Sequence, residues 1–172
     1  MIGFLRFLGI LNAAVWCGSA IFLVVGLPAI FSPDLKKLLT DPGVGFAAET
    51  IVGRFFKVQY CCGAIGLAHL WAEWLYAGRP VRVLNLSLLI GMLTVALIGG
   101  IWVQPKMQQL HKIHYFGKTV EERAQAGETF ALWHGISESV NLLVIAGLIV
   151  YLWSVSSDAE HSGWGEFSKI RS

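Results

Sequence analysis

The side chains best suited to chemistry in this sequence sit where polar groups are hardest to place. The stretch Phe130-Ala131-Leu132-Trp133-His134-Gly135-Ile136-Ser137-Glu138-Ser139-Val140-Asn141-Leu142-Leu143 opens a long apolar segment with a histidine, a carboxylate and an amide. At helical spacing His134, Ser137, Glu138 and Asn141 fall at i, i+3, i+4 and i+7 and share one stripe. Polar groups are costly in hydrocarbon, so this stripe is expected to face protein or water. A second seam runs through Gln59, Cys62, Gly66, His69 and Glu73 at steps of three and four, and Asn12 and Trp16 share a face nearer the N-terminus. The expected polar interior is therefore Asn12, Trp16, Gln59, His69, Glu73, His134, Ser137, Glu138 and Asn141.

Three kinds of chemistry can be weighed against these residues. The first is an ion pair. Glu138 and the bases Arg54 and Lys57 match in depth, so the carboxylate is expected within reach of one of them. The second is haem or metal ligation by His69 and His134. These histidines belong to opposite ends of their segments, on the order of 15 to 20 Å apart in depth at a rise of about 1.5 Å per residue, so they cannot bracket one iron. No cofactor is expected, and a haem or a metal ion stands as the alternative. Cys61 and Cys62 point in different directions on a helix and form no chelating pair, and His111 and His114 read as a solvated helix face. The third kind is catalysis. No Ser-His-Asp set, phosphate-binding loop or paired carboxylates occur in the 172 residues, so the chain is read as not an enzyme.

The elements that must position these groups follow from composition. A hydrophobic fraction of 55% against 14% charged residues describes an integral membrane protein, not a soluble domain. Four segments reach the spanning length of about twenty mainly apolar residues: 7–31, 51–77, 83–103 and 129–153. The expected fold is all-α, an integral membrane four-helix bundle with short loops over residues 1–155, followed by a polar, loosely held tail over 156–172 with Trp164 as an anchor. Ser32-Pro33-Asp34 starts a short helix, Asp41-Pro42-Gly43 marks a turn, and Lys118 to Gly127 reads as a loop. Ala14 and Gly18 form a small-residue pair, and Ala64, Ala68 and Ala72 a small-residue row. A net charge of +2 with no basic cluster excludes nucleic acid. The partners expected are the lipid bilayer and other membrane subunits or a second copy. The chain is multi-pass, with its membrane and orientation left open by an even basic-residue balance.

Trp16-x-Gly18, Gly53-x-Phe55-Phe56, Trp102-x-x-Pro105 and Phe130-x-x-x-His134-Gly135-x-Ser137-x-x-x-Asn141-Leu142 resemble the transmembrane protein 205-like family. The resemblance implies a four-helix membrane protein and singles out Trp16, Gly18, Trp102, Pro105, His134, Gly135, Ser137 and Asn141. It implies no established activity. The leading expectation is a packing or accessory subunit of a membrane assembly. The alternatives are a small-solute, ion or metal transport or tolerance protein with a polar interior, and a cofactor-binding electron carrier.

Overall fold

The computed structural model describes residues 2–78 and 82–169, the side chains of Ile2, Ala77 and residues 158–169 excepted. The side chain of Trp164, expected as an anchor, lies outside the described residues, as do residues 170–172 of the tail. Helix α1 spans Ile2–Gly26 and closes in a 3-10 turn, Leu27–Phe31, where Pro28 ends the α-helical ladder. Helix α2 spans Pro33–Ala77, α3 Val83–Ile98, α4 Gln104–Phe116 and α5 Val120–Lys169. A π-helical turn, Gly99–Val103, joins α3 to α4 in one rod. There is no strand among the described residues.

These elements form an all-α four-helix bundle running up, down, up and down. Helix α1 packs on α2 and α5, and the α3–α4 rod also packs on α2 and α5. Helices α2 and α5 therefore stand across the diagonal from each other. The core is drawn from all four: Trp16 and Ala20 of α1, Phe55 and Leu70 of α2, Leu89 and Met92 of α3, and Val144, Leu148 and Tyr151 of α5. Its outer wall is inverted relative to a soluble protein. Phe22, Val25, Ile101 and Leu143 are each about two-thirds exposed or more.

Three helical stretches are long and apolar enough to cross a membrane: Gly3–Phe31, Val83–Phe116 and Val120–Ser157. The fourth segment expected from sequence, 51–77 in α2, falls below that level. Gln59, His69 and Glu73 lower its hydropathy, although they turn into the bundle while Ile51, Val58, Ile65 and Leu75 face out. The rod Val83–Phe116 has 34 residues and is about 51 Å long, well beyond a hydrocarbon core of about 30 Å. Two rings of aromatic residues mark the boundaries. Trp71, Trp74, Tyr76 and Trp153 are exposed near one end. At the other, Trp102 and Trp133 meet edge to face at 5.4 Å, with Lys106 Nζ over both rings. Residues 104–116 and the α2 residues beside them lie beyond that second boundary.

Two expectations are corrected at the ends of α5. The predicted loop from Lys118 to Gly127 is helical from Val120, because Thr119 and Glu122 form a capping box. Glu122 N donates to Thr119 Oγ1 at 3.1 Å, and Glu122 Oε2 accepts from the Lys118 and Thr119 amides. The tail expected to be irregular continues as helix to Lys169, since extending an existing helix avoids a new nucleus.

The break expected around Asp41-Pro42-Gly43 falls one residue earlier. Thr40 takes φ 61°, ψ 161° inside α2, a region that a β-branched residue rarely adopts. Glycine adopts it without a Cβ clash, offset by the greater freedom of glycine in the unfolded chain. Thr40→Gly is expected to stabilise the protein by about 0.5–1 kcal/mol, read as a rise in thermal midpoint in detergent. A fall would show that Thr40 is not strained.

Candidate functional site

Polar groups inside the bundle are gathered along α2, whose inward seam is built from residues too far apart in sequence to pair locally. Midway along the bundle, Asn12 Nδ2 donates to the Cys62 carbonyl at 2.9 Å, tying α1 to α2. Gln59 is buried one turn away. Nearer the chain termini, His69 is buried with Nε2 2.8 Å from the Leu5 carbonyl oxygen. A carbonyl only accepts, so this nitrogen carries the proton. The ring lies flat against Gly9, where an added Cβ would collide with all three of its nearest ring atoms. Glu73 Oε1 stands 3.9 Å from the same nitrogen.

The second gathering lies beyond the Trp102–Trp133 pair, at the end of the bundle away from the chain termini. His111 Nδ1 is 2.9 Å from Glu49 Oε1, with the two side chains 8% and 18% exposed. Phe46, Tyr115 and Phe130 close around the imidazole with ring centroids 4.9 to 5.8 Å away, and its Nε2 edge rests on Gly45. Gln104 reaches the Glu49 carbonyl at 3.5 Å. Burial pushes the Glu49 carboxyl above its ordinary range, opposed by the nearby charges of His111 and Lys112. The pair clamps α2 to α4.

The α5 stripe splits. Ser137 and Asn141, half-buried, lie on the inward line that Val144, Leu148 and Tyr151 continue at steps of three and four, and His134 and Glu138 leave it. Ser137 Oγ approaches Met107 Sδ at 3.8 Å, while Asn141 has no hydrogen-bond partner among the described residues. His134 and Glu138 are exposed. His134 lies parallel to Phe130 at 6.0 Å instead of bonding to the first or third helix. Glu138 sits about 100° around the helix from Ser137, far enough to leave the packed face.

The expected Glu138 pairing with Arg54 or Lys57 does not form; all three are exposed and no ion pair joins them. Their depths do match, but α2 and α5 are diagonal in the bundle, which spacing along the chain does not reveal. All three lie near the Trp102–Trp133 boundary, where headgroups and water solvate charge. His69 and His134 lie at opposite ends. Trp102 and Pro105 are exposed, the proline in the first turn of α4 where its missing N–H is harmless. Nothing packs within 4 Å of the position a Cβ would take on Gly18 or Gly135.

Sequence reasoning missed Glu49, His111, Asn85 and Tyr151. The α2 seam continued two to three turns upstream from Gln59, at steps of three and four, would have reached Glu49. Nothing local distinguished buried His111 from exposed His114, which bonds the Arg123 carbonyl at 3.0 Å. Trp16 Nε1, His69 Nδ1, Asn85 Oδ1 and Tyr151 OH are buried without a hydrogen-bond partner, and Glu49 Oε1 and His111 Nδ1 meet at 2.9 Å as a charge contact outside hydrogen-bond alignment. Each unpartnered group costs about 1–3 kcal/mol.

The model of one domain family covers residues 11–115, from α1 to the end of α4. The chain belongs to DUF4149, a domain family of unknown function. Neither a curated protein nor a solved structure matches it. The DUF4149 region contains the Asn12–Cys62 bond and both members of the Glu49–His111 clamp, and it stops before α5.

Two outcomes follow for this DUF4149 chain. Gly9→Ala drives a methyl into the His69 ring and breaks its bond to Leu5, with an expected loss of about 1–3 kcal/mol in unfolding measurements; unchanged stability would mean that the ring is not seated there. The second concerns pH. A raised folded pKa means that the folded chain keeps the Glu49 proton where the unfolded chain has lost it. That contribution is full below the ordinary glutamate value of 4.5 and is lost as pH rises through the folded value. The thermal midpoint is expected to fall with rising pH across this window, and Glu49→Gln to flatten the slope. An equal slope in the variant assigns the dependence elsewhere.

Proposed function

We propose that this protein is a non-enzymatic, multi-pass membrane protein that works by association, as a packing or accessory subunit holding another membrane-embedded helix or a second copy against α5. The reading is carried by Gly135. It sits in an exposed small-residue ridge, Ala131, Gly135 and Ser139, and no described residue comes within 4 Å of the position a Cβ would take on Gly135. Glycine inside a helix is about 0.8–1.0 kcal/mol less favourable than alanine, and here the bundle gains no close approach in return. Small-residue rows are what membrane helices use to approach one another. The exposed Glu138 and His134 beside the ridge add polar groups that an approaching helix would satisfy.

Membership at the finer level of the transmembrane protein 205-like family is part of this proposal. Gly18 and Gly135 both belong to the pattern behind that resemblance, and both face outward with open space. Residues that the bundle itself does not need are natural contacts for something outside it.

Gly135→Leu separates the roles. Wild-type protein in mild detergent is expected to run well above the 18.9 kDa of one chain, and the variant as a lone chain with an equal or higher thermal midpoint. A monomeric wild type, or a variant of unchanged size, would overturn the proposal.

A further inference from the structure

Three bases crowd the boundary marked by Trp102 and Trp133 without a carboxylate to meet them. Arg54 and Lys57 are neighbours at i and i+3 on the outward face of α2, and both are exposed. A Cβ on Gly53 would lie 2.8 Å from Gln104 Nε2, so the adjacent Arg54 is level with the start of α4. Lys106 stands there, with Nζ 5.6 Å from the Trp102 ring centre and 5.1 Å from that of Trp133. Side chains on a helix lean toward its N-terminus, and α2 and α4 run in opposite directions. Arg54 and Lys57 therefore lean out of the hydrocarbon toward the boundary, and Lys106 leans back to it from the water side, so the three charges converge on one plane.

The protein supplies no countercharge on that plane. Among the described residues no ion pair joins Arg54, Lys57 or Lys106 to a carboxylate. Glu138, the acid at this depth, follows Trp133 by five residues and so points about 140° around α5 from it. Glu49 is engaged by His111 at 2.9 Å. Asp34 and Asp41 precede Arg54 by more than three turns, and Glu121, Glu122 and Glu128 precede Trp133 by more than one, all on the water side.

The neighbours on the membrane side select the partner. Val58 and Ile65 continue the outward face of α2, and Ile98 and Ile101 that of the α3–α4 rod, all of them exposed. A free anion would meet the charges alone, and a zwitterionic headgroup would bring its own cation among the bases. A lipid with net negative charge meets both the charged plane and the apolar wall beneath it. We propose that Arg54, Lys57 and Lys106 form a docking belt for anionic phospholipids, with headgroup phosphates at the Trp102–Trp133 boundary and acyl chains along Val58, Ile65, Ile98 and Ile101. The belt is separate from the Gly135 ridge, and its test fails independently of that one.

The full chain in an uncharged detergent is titrated with phosphatidylglycerol, phosphatidylcholine, inorganic phosphate or glycerol 3-phosphate, with the thermal midpoint as readout. Phosphatidylglycerol is expected to raise the midpoint saturably, with an apparent affinity that falls as salt is added, and the other three are not. At roughly fivefold for each charge near an anionic surface, Arg54→Gln combined with Lys57→Gln is expected to weaken that affinity about 25-fold, and Lys106→Gln about fivefold. Lys106→Arg is expected to retain it. Lys36→Gln combined with Lys37→Gln removes as much charge from the same end but away from the belt, and is expected to leave the affinity unchanged. Equal responses to phosphatidylglycerol and phosphatidylcholine, or a response to neither, overturn the proposal. An equal response to inorganic phosphate or glycerol 3-phosphate overturns it in favour of a free-anion site. So does an affinity that survives both the Arg54/Lys57 and the Lys106→Gln changes, or one that falls as far in the Lys36/Lys37 variant, in favour of net charge alone.

Discussion

A polar side chain carried into hydrocarbon must find its partner inside the protein, and in this bundle α2 answers most of that demand. Its inward seam meets a carbonyl there, Leu5 for His69, and the same helix meets the His111 imidazole through Glu49 beyond the Trp102–Trp133 pair. Its own Cys62 carbonyl receives Asn12. Each contact crosses between helices, so together they fix the rotation of α1 and α4 about α2. Packing alone would not, because lipid tails are as apolar as the side chains they replace. The glycines at positions 9 and 45 are part of the same constraint, since a ring seated on a bare backbone leaves no room for slippage between helices.

The fold class, the inward seam of α2 and the Asn12–Trp16 face of α1 were legible in the sequence, because each repeats at helical steps over several turns. The rotation of α5 was legible in part. Ser137 and Asn141 lie on the line that Val144, Leu148 and Tyr151 carry into the core, whereas His134 and Glu138, about 60° and 100° around from Ser137, turn out of it. The Glu138 pairing failed for a different reason. Depth can be counted along a helix, but which helices are neighbours and which are diagonal is a property of the assembled bundle. Thr119-x-x-Glu122 was a local signal, obscured by the charged residues around it. His111 carried none, because its burial depends on Phe46 and Phe130 arriving from other helices.

The family match ends at residue 115, yet the bundle does not close there. Leu148 and Tyr151 of α5 are fully buried, and Phe130 completes the aromatic enclosure of His111. The matched region holds the polar bonds that orient α1 to α4, and α5 supplies the fourth wall against which they pack. It also supplies the outward ridge. Within one helix, the inner face is committed to this chain while the opposite face carries no obligation to it.

The π-turn at Gly99–Val103, cushioned by Phe56 against Gly99 and Gly100, has a consequence for helical phase. On an unbroken helix, a row through Leu89 and Ala96 would return about every seven residues, at Val103 and Leu110. The wider turn inserts one residue, and the row resumes at Gln104 and His111. The part of the rod within the membrane is thereby tuned to lipid thickness and core packing, and the part beyond it to the Glu49 clamp, each in its own frame. Deleting one residue here would leave the membrane half in register and rotate the distal half by more than a quarter turn, swinging the imidazole away from its carboxylate.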